Sequence, residues 1–150
     1  LAGMAEVKAA VDTLIEADES AFSIHDAMNI IRQRAADVIN IKIEKVGGFY
    51  NAKKVAAMAE ASGLQCVIGT AFGLGLTIAA KLHLAASPLI SRDAVEFTEG
   101  SLTDNLLEAP FDRALTLPLQ DGCFEVPTGP GLGVTFDETG AAAYRSTIVD

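Results

Sequence analysis

Three short strand-like stretches alternating with helical ones constrain this chain most. "TLIEAD" at 13–18, "DVINIKI" at 37–43 and "LQCVIG" at 64–69 each read as a strand. Between the first two, Ser23 and Asp26 make a capping-box pattern, and Ile24, Ala27, Met28, Ile31 and Ala35 recur at helical spacing. After Gly47 and Gly48, the stripe Ala52, Val55, Ala56 and Ala59 predicts a second helix that Gly63 ends. A helix between successive strands returns the chain to the same end of the sheet, so the strands must pair in parallel and the class is α/β. Residues 2–11 suit a helix before the first strand, and Leu76, Ala79, Ala80, His83 and Leu84 mark one after the third. "AVEFTEG" at 94–100 reads as a fourth strand. Beyond it the repeat decays into "PLQDGCFEVPTGPGLGVTF", read as loops and short strands, with a final helix expected from Glu138.

With 150 residues, half of them hydrophobic and 21% charged, the chain can bury a core. No stretch has the unbroken apolar length of a membrane span, and the opening "LAGMAEVKAA" lacks the basic-then-apolar order of a secretory signal, so a cytoplasmic location is expected. Cys66 and Cys123 are too few and too far apart for a disulfide framework or a metal knuckle, and are expected to be free thiols outside any site. A formal net charge of −9 without any basic run argues against nucleic acid and anionic membranes as partners and favours a cation.

One residue breaks the pattern. Strands in a sheet covered on both faces are usually apolar throughout, yet Lys42 sits in "INIKIEK". By the period of two, Val38, Asn40 and Lys42 share one face of that strand, and Ile39, Ile41 and Ile43 the other. The isoleucines can pack under helices, and the polar face must look elsewhere. In a closed barrel the C-terminal end of a strand opens into the mouth, where barrel enzymes keep their chemistry. Asp18 ends its own strand in the same way, with Leu14 and Glu16 on its face. A carboxylate and an amine meeting there can hold a hard cation and move a proton. They can equally form a plain buried ion pair, and spacing alone does not choose between the two.

A resemblance bears on that choice. "ADES" followed by "FSIHDA", then "INIKIEKVGG" with "AKKVAAMAEASGL", then "GLGLTIAAKLHLAAS", and late "DGCFEVPTGPGLGV" together resemble the C-terminal half of the enolase superfamily. The branch is that of muconate lactonizing enzyme (muconate cycloisomerase), dipeptide epimerases and mandelate racemase. The fold implied is the C-terminal half of a (β/α)7β TIM-like barrel. Residues 1–100 would hold barrel strands five to eight, and residues 101–150 a covering segment that packs toward a capping domain. The resemblance implies Asp18 as a ligand of an essential Mg2+, with Mn2+ as a possible substitute. Glu19 would stand beside it as an electrostatic partner, and Lys42 would be the acid/base on one face of a small carboxylate substrate. In that family the proton alpha to the carboxylate is removed and the resulting enediolate is stabilised by the metal.

The resemblance also implies what is missing. The family's other two metal ligands, its Lys-x-Lys motif and its capping domain would all precede Leu1. A complete barrel takes about 250 residues, so this chain is expected to be part of a longer polypeptide, with the remainder of the same enzyme as partner and a homo-oligomer as assembly. Where relatives commonly carry a glutamate, "GTAFGLG" has Gly73, which leaves the exact reaction open.

Other residues are weighed beside these. Asn40, one pleat below Lys42, either positions it or makes a structural hydrogen bond. Glu16 lies deeper, where a structural ion pair is the easier explanation. "GTAFGLG" fits no nucleotide fingerprint and reads as a tight turn at the barrel mouth, where Thr70 and Gly73 could meet a substrate carboxylate. Thr98 and Glu99 end the expected fourth strand and either line the pocket or lie in a surface loop. His83 reads as a core histidine with one satisfied nitrogen, His25 as solvated. The expectation is a Mg2+-dependent racemase, epimerase or cycloisomerase. The alternatives are an acid-sugar dehydratase on the same barrel and a catalytically silent barrel fragment acting as an assembly module.

Overall fold

A computed structural model describes residues 1–71, 75–88, 90 and 119–134. Two compact units emerge, residues 1–71 with 84–96, and residues 72–83 with 97–150.

In the first unit, α1 (Ala2–Ala10) precedes β1 (Glu16–Ala17), and the chain then alternates through α2 (Ile24–Gln33), β2 (Val38–Ile41), a single turn α3 (Ile43–Val46), α4 (Phe49–Ala61) and β3 (Gln65–Ile68). The strands form a parallel sheet in the order β1-β2-β3. Glu16 pairs with Val38, Ala17 with Ile39, and Val38 to Ile41 with Gln65 to Ile68. The α/β class and parallel pairing expected from the alternation are therefore present.

Helix α2 starts where the capping pattern places it: Ser23 Oγ accepts a hydrogen bond from the Asp26 N–H at 3.1 Å. It packs on α4. The contact face of α4 is the stripe read from the sequence, with Ala52, Val55, Ala56 and Ala59 all buried. On α2 the buried residues are Ala27 and Ile30, and Ile31 is only half-buried. The expected stripe holds at Ala27 and Ala35 and misses only in taking Ile31 for Ile30, because the adjacent isoleucines give periodicity no means to choose between them. Beneath these helices lie Ala17, Ile39, Ile41, Cys66 and Ile68, none more than 2% exposed.

Two strand boundaries differ from expectation. The first strand pairs regularly only over Glu16–Ala17. Ahead of it, Ile15 still joins β2 through its carbonyl, but its N–H goes to the Asp37 carboxylate at 3.0 Å. A side chain there takes the place of a ladder acceptor. The second strand stops at Ile41, so Lys42 is not inside a strand. It is the extended residue that opens α3, with φ −109° and ψ 116°.

Helix α5 (Gly75–Ala85) buries Ile78, Ala79, Lys81, Leu82 and Leu84 and exposes Leu76. The expected face was wrong at Leu76, because a helix apolar nearly all round does not reveal its buried side by spacing. In the second unit, β4 (Leu119–Gln120) and β5 (Cys123–Phe124) form an antiparallel hairpin. Its turn, Asp121-Gly122, has φ of 50° and 78°, the left-handed pair that suits a two-residue connection. His83 Nε2 lies 3.1 Å from the Leu132 carbonyl oxygen, in keeping with a half-buried histidine satisfied on one nitrogen. His25 is exposed, as expected. The strand expected at 94–100 and the helix expected from Glu138 lie outside the described residues. No described helix is long and apolar enough to cross a membrane.

Candidate active site

The parallel register decides which side chains meet. Paired residues of parallel strands point to the same face, so Glu16, Val38, Asn40, Val67 and Gly69 share the face opposite the helices. Asn40 is 1% exposed, and its Nδ2 donates to Glu16 Oε1 at 2.7 Å. The Glu16 carboxylate thus serves as acceptor for a neutral amide. On the other side the Asn40 amide presses against β3. A Cβ built on Gly69 would overlap Asn40 Oδ1 and stand 2.7 Å from both Cγ and Nδ2. Gly69 is thus the residue that makes room for this amide.

One pleat further, at the C-terminal ends of β1 and β2, the charged residues converge. Lys42 Nζ lies 2.7 Å from Asp18 Oδ1, 2.9 Å from Asp18 Oδ2 and 2.9 Å from Glu19 Oε1. Sequence reasoning brought Asp18, Glu19 and Lys42 to one place, and the structure puts them in direct contact. It missed Lys45, whose Nζ donates to the Asp18 carbonyl oxygen at 2.7 Å and to Oδ1 at 2.9 Å. The available signal was the spacing of "KIEK": on a helical turn, residues three apart lie on one side. Gly47 and Gly48, with φ of 82° and 100°, end that turn in conformations other residues rarely adopt and lead the chain into α4.

Electrostatics favour the charged forms of both partners. Burial alone would raise the Asp18 carboxyl, but hydrogen bonds from Lys42 and Lys45 and the charge of Lys45 outweigh it and hold it below its ordinary value. Burial alone would likewise lower the Lys42 ammonium, yet the bonds and charges of Asp18 and Glu19 raise it. Thr70 is half-buried just beyond β3, at the same end of the sheet, and Gly73 and Thr98 lie outside the described residues. Cys66 is buried, and burial pushes its thiol up to about 12, which suits packing and not chemistry.

An ionised carboxylate at a strand end is a hard oxygen donor of the kind Mg2+ takes, so Asp18 fits one position of such a shell. Among the described residues no group of three or more acidic, histidine or cysteine side chains could hold a metal by itself.

Comparison with known proteins shows the family. The family model of the enolase C-terminal domain-like proteins matches residues 1–140. The chain belongs to that family. Among curated relatives, it is 47% identical over 87 residues to the L-Ala-D/L-Glu epimerase of Bacillus subtilis, covering 58% of this chain and 24% of the relative. It is 36% identical over 132 residues to muconate cycloisomerase 1 of Rhodococcus opacus, covering 87% and 34%. Among solved structures, an isomerase from Streptomyces coelicolor superposes with a TM-score of 0.79 at 34% identity, covering 95% of this chain and 37% of that one. The N-succinyl Arg/Lys racemase of Bacillus cereus gives 0.75 at 28% identity, covering 93% and 36%. The chain thus spans 24% and 34% of the length of the two curated relatives.

Proposed function

We propose that the protein carrying this chain is a Mg2+-dependent isomerase or lyase that moves a proton alpha to a carboxylate. The observation that carries this reading is the contact of Lys42 with Asp18 at the C-terminal ends of neighbouring parallel strands. Membership of the enolase C-terminal domain-like family supports it, as do relatives named epimerase, racemase and cycloisomerase.

The chemical need is specific. A proton alpha to a carboxylate is far too weakly acidic for an amine to remove unless the second negative charge meets preorganised positive charge. Bound Mg2+ supplies that charge, and Asp18 is the residue of this chain that would hold it. Lys42 supplies the proton transfer. With Asp18 and Glu19 against it, its ammonium is held up and protonated, the form that returns a proton to carbon. Whatever draws those carboxylates away leaves burial to act alone on the amine, and burial favours the neutral base. The same side chain can therefore act as base toward one stereoisomer and as acid toward the other, while inversion also needs a second proton carrier on the opposite face of the substrate.

Dipeptides and N-acyl amino acids are the first substrates to try, with cis,cis-muconate as the cycloisomerisation arm and acid sugars as the dehydration arm. The test is deuterium incorporation at the alpha carbon in heavy water, with product formation followed for the other two arms. The reading expects turnover with Mg2+ for at least one class and its loss on chelation. Absence of exchange and of product across all classes with Mg2+ present would overturn it and favour a silent barrel.

A further inference from the structure

We propose that Lys45 is a positioning residue: it clamps Asp18 from behind so that the carboxylate is already oriented for a divalent cation when Lys42 turns to its substrate. This rests on the reading of Asp18 as a metal ligand. Two ammonium groups share Asp18, but they hold it differently. Lys42 spans Oδ1 and Oδ2 and also reaches Glu19. Lys45 grips one side-chain oxygen and the main-chain carbonyl of the same residue, which fixes the backbone and the side-chain rotation together. If Lys42 withdraws, Oδ2 is uncovered while Oδ1 stays on Lys45.

The clamp is mounted on a rigid base. In α3, the Lys42 carbonyl accepts the N–H groups of Lys45 and Val46 at 3.0 and 3.2 Å, and the Ile43 carbonyl accepts the Gly48 N–H at 2.9 Å. Asn51 Nδ2 donates to the Val46 carbonyl at 2.8 Å. Ile43 and Val46 are buried, and the Lys45 side chain is only 6% exposed, so its stem is held by packing. The Asp18 carbonyl also accepts the Ala21 N–H at 2.9 Å, which secures the turn that carries the carboxylate. A free surface lysine would have none of these restraints.

Two effects of Lys45 on a bound cation oppose each other. Its positive charge repels the cation, and its hydrogen bonds orient the ligand. Partners that hold a metal ligand typically change metal affinity by about 10- to 100-fold when removed, so the proposal takes orientation as the larger effect.

The experiment measures Mn2+ binding by electron paramagnetic resonance in the full-length protein, without substrate, for the unaltered form, Lys45→Met, Lys45→Arg and Asp18→Asn. Folding is checked by near-ultraviolet circular dichroism. The expected result is about 10- to 100-fold weaker binding in Lys45→Met with an unchanged spectrum, and partial recovery in Lys45→Arg, which keeps the charge and the donors. Binding that is unchanged or tighter in Lys45→Met overturns the clamp, and so does a failure of Lys45→Arg to recover any affinity. If Lys45→Met does not fold, Lys45→Leu, which likewise has no donor, is read by the same criteria. Loss of Mn2+ in Asp18→Asn upholds the metal reading whatever Lys45→Met does. Absence of Mn2+ binding in the unaltered protein overturns that reading and the clamp with it.

Discussion

The ammonium of Lys42 bridges both carboxylate oxygens of Asp18, at 2.7 and 2.9 Å, across 24 residues of sequence. Parallel pairing of β1 with β2 produces that contact, since it brings the C-terminal ends of two strands side by side although a helix separates them in sequence. A strand register shifted by one residue would send one of the two groups to the helix-covered face.

Asp18 is the common partner of both lysines, so its removal is felt twice. Asp18→Asn keeps the shape and leaves two ammonium groups near each other with the exposed Glu19 carboxylate, 2.9 and 3.9 Å away, as the acid they still share. Because the Asp18 side chain is 37% exposed, solvent softens the loss. The expected destabilisation is about 1–3 kcal/mol, measured by urea unfolding.

Gly69→Ala tests the packing beneath the site. The new methyl would overlap the whole Asn40 amide, which is buried and bonded to Glu16, so the amide cannot simply swing away. The expected destabilisation is about 1–3 kcal/mol. In an Asn40→Ala background the overlap disappears, so Gly69→Ala there should cost clearly less. Equal costs in the two backgrounds would show that the amide is not the obstacle.

Acid should weaken the fold through Asp37 as well as Asp18. The Asp37 carboxylate accepts the Ile15 N–H at 3.0 Å and meets Lys8 Nζ at 2.9 Å, and the first of these, then the second, holds it below its ordinary value. A depressed carboxyl contributes stability that is present above its unfolded value, near about pH 4, and is lost as pH falls through the folded value. Unfolding free energy, followed by urea titration, should therefore fall as the medium is acidified below about pH 5. Asp37→Asn should make that fall shallower, and an unchanged slope would remove Asp37 from the account.

Much of this was legible in the residues. Strand-helix alternation gave parallel pairing, and a lysine opposite a row of isoleucines pointed to a polar strand end. The remainder failed for identifiable reasons. "NIKIEKV" continues to alternate on paper, yet β2 stops at Ile41 and the chain makes a helical turn that Gly47 ends, so Lys45 escaped notice. Only a tertiary contact reveals that Gly69 stands against Asn40. In α5, apolar residues on every side hid the buried face, and in α2 the pair Ile30-Ile31 hid which of the two is buried.

The central claim is that Lys42 moves a proton at carbon. Its most direct test is single-turnover alpha-proton exchange in heavy water, using a substrate accepted by the unaltered protein, with Lys42→Met beside it at saturating Mg2+. The account expects the exchange that Lys42 serves to fall by at least about 100-fold, while Mn2+ still binds. Exchange at an undiminished rate in Lys42→Met would contradict it.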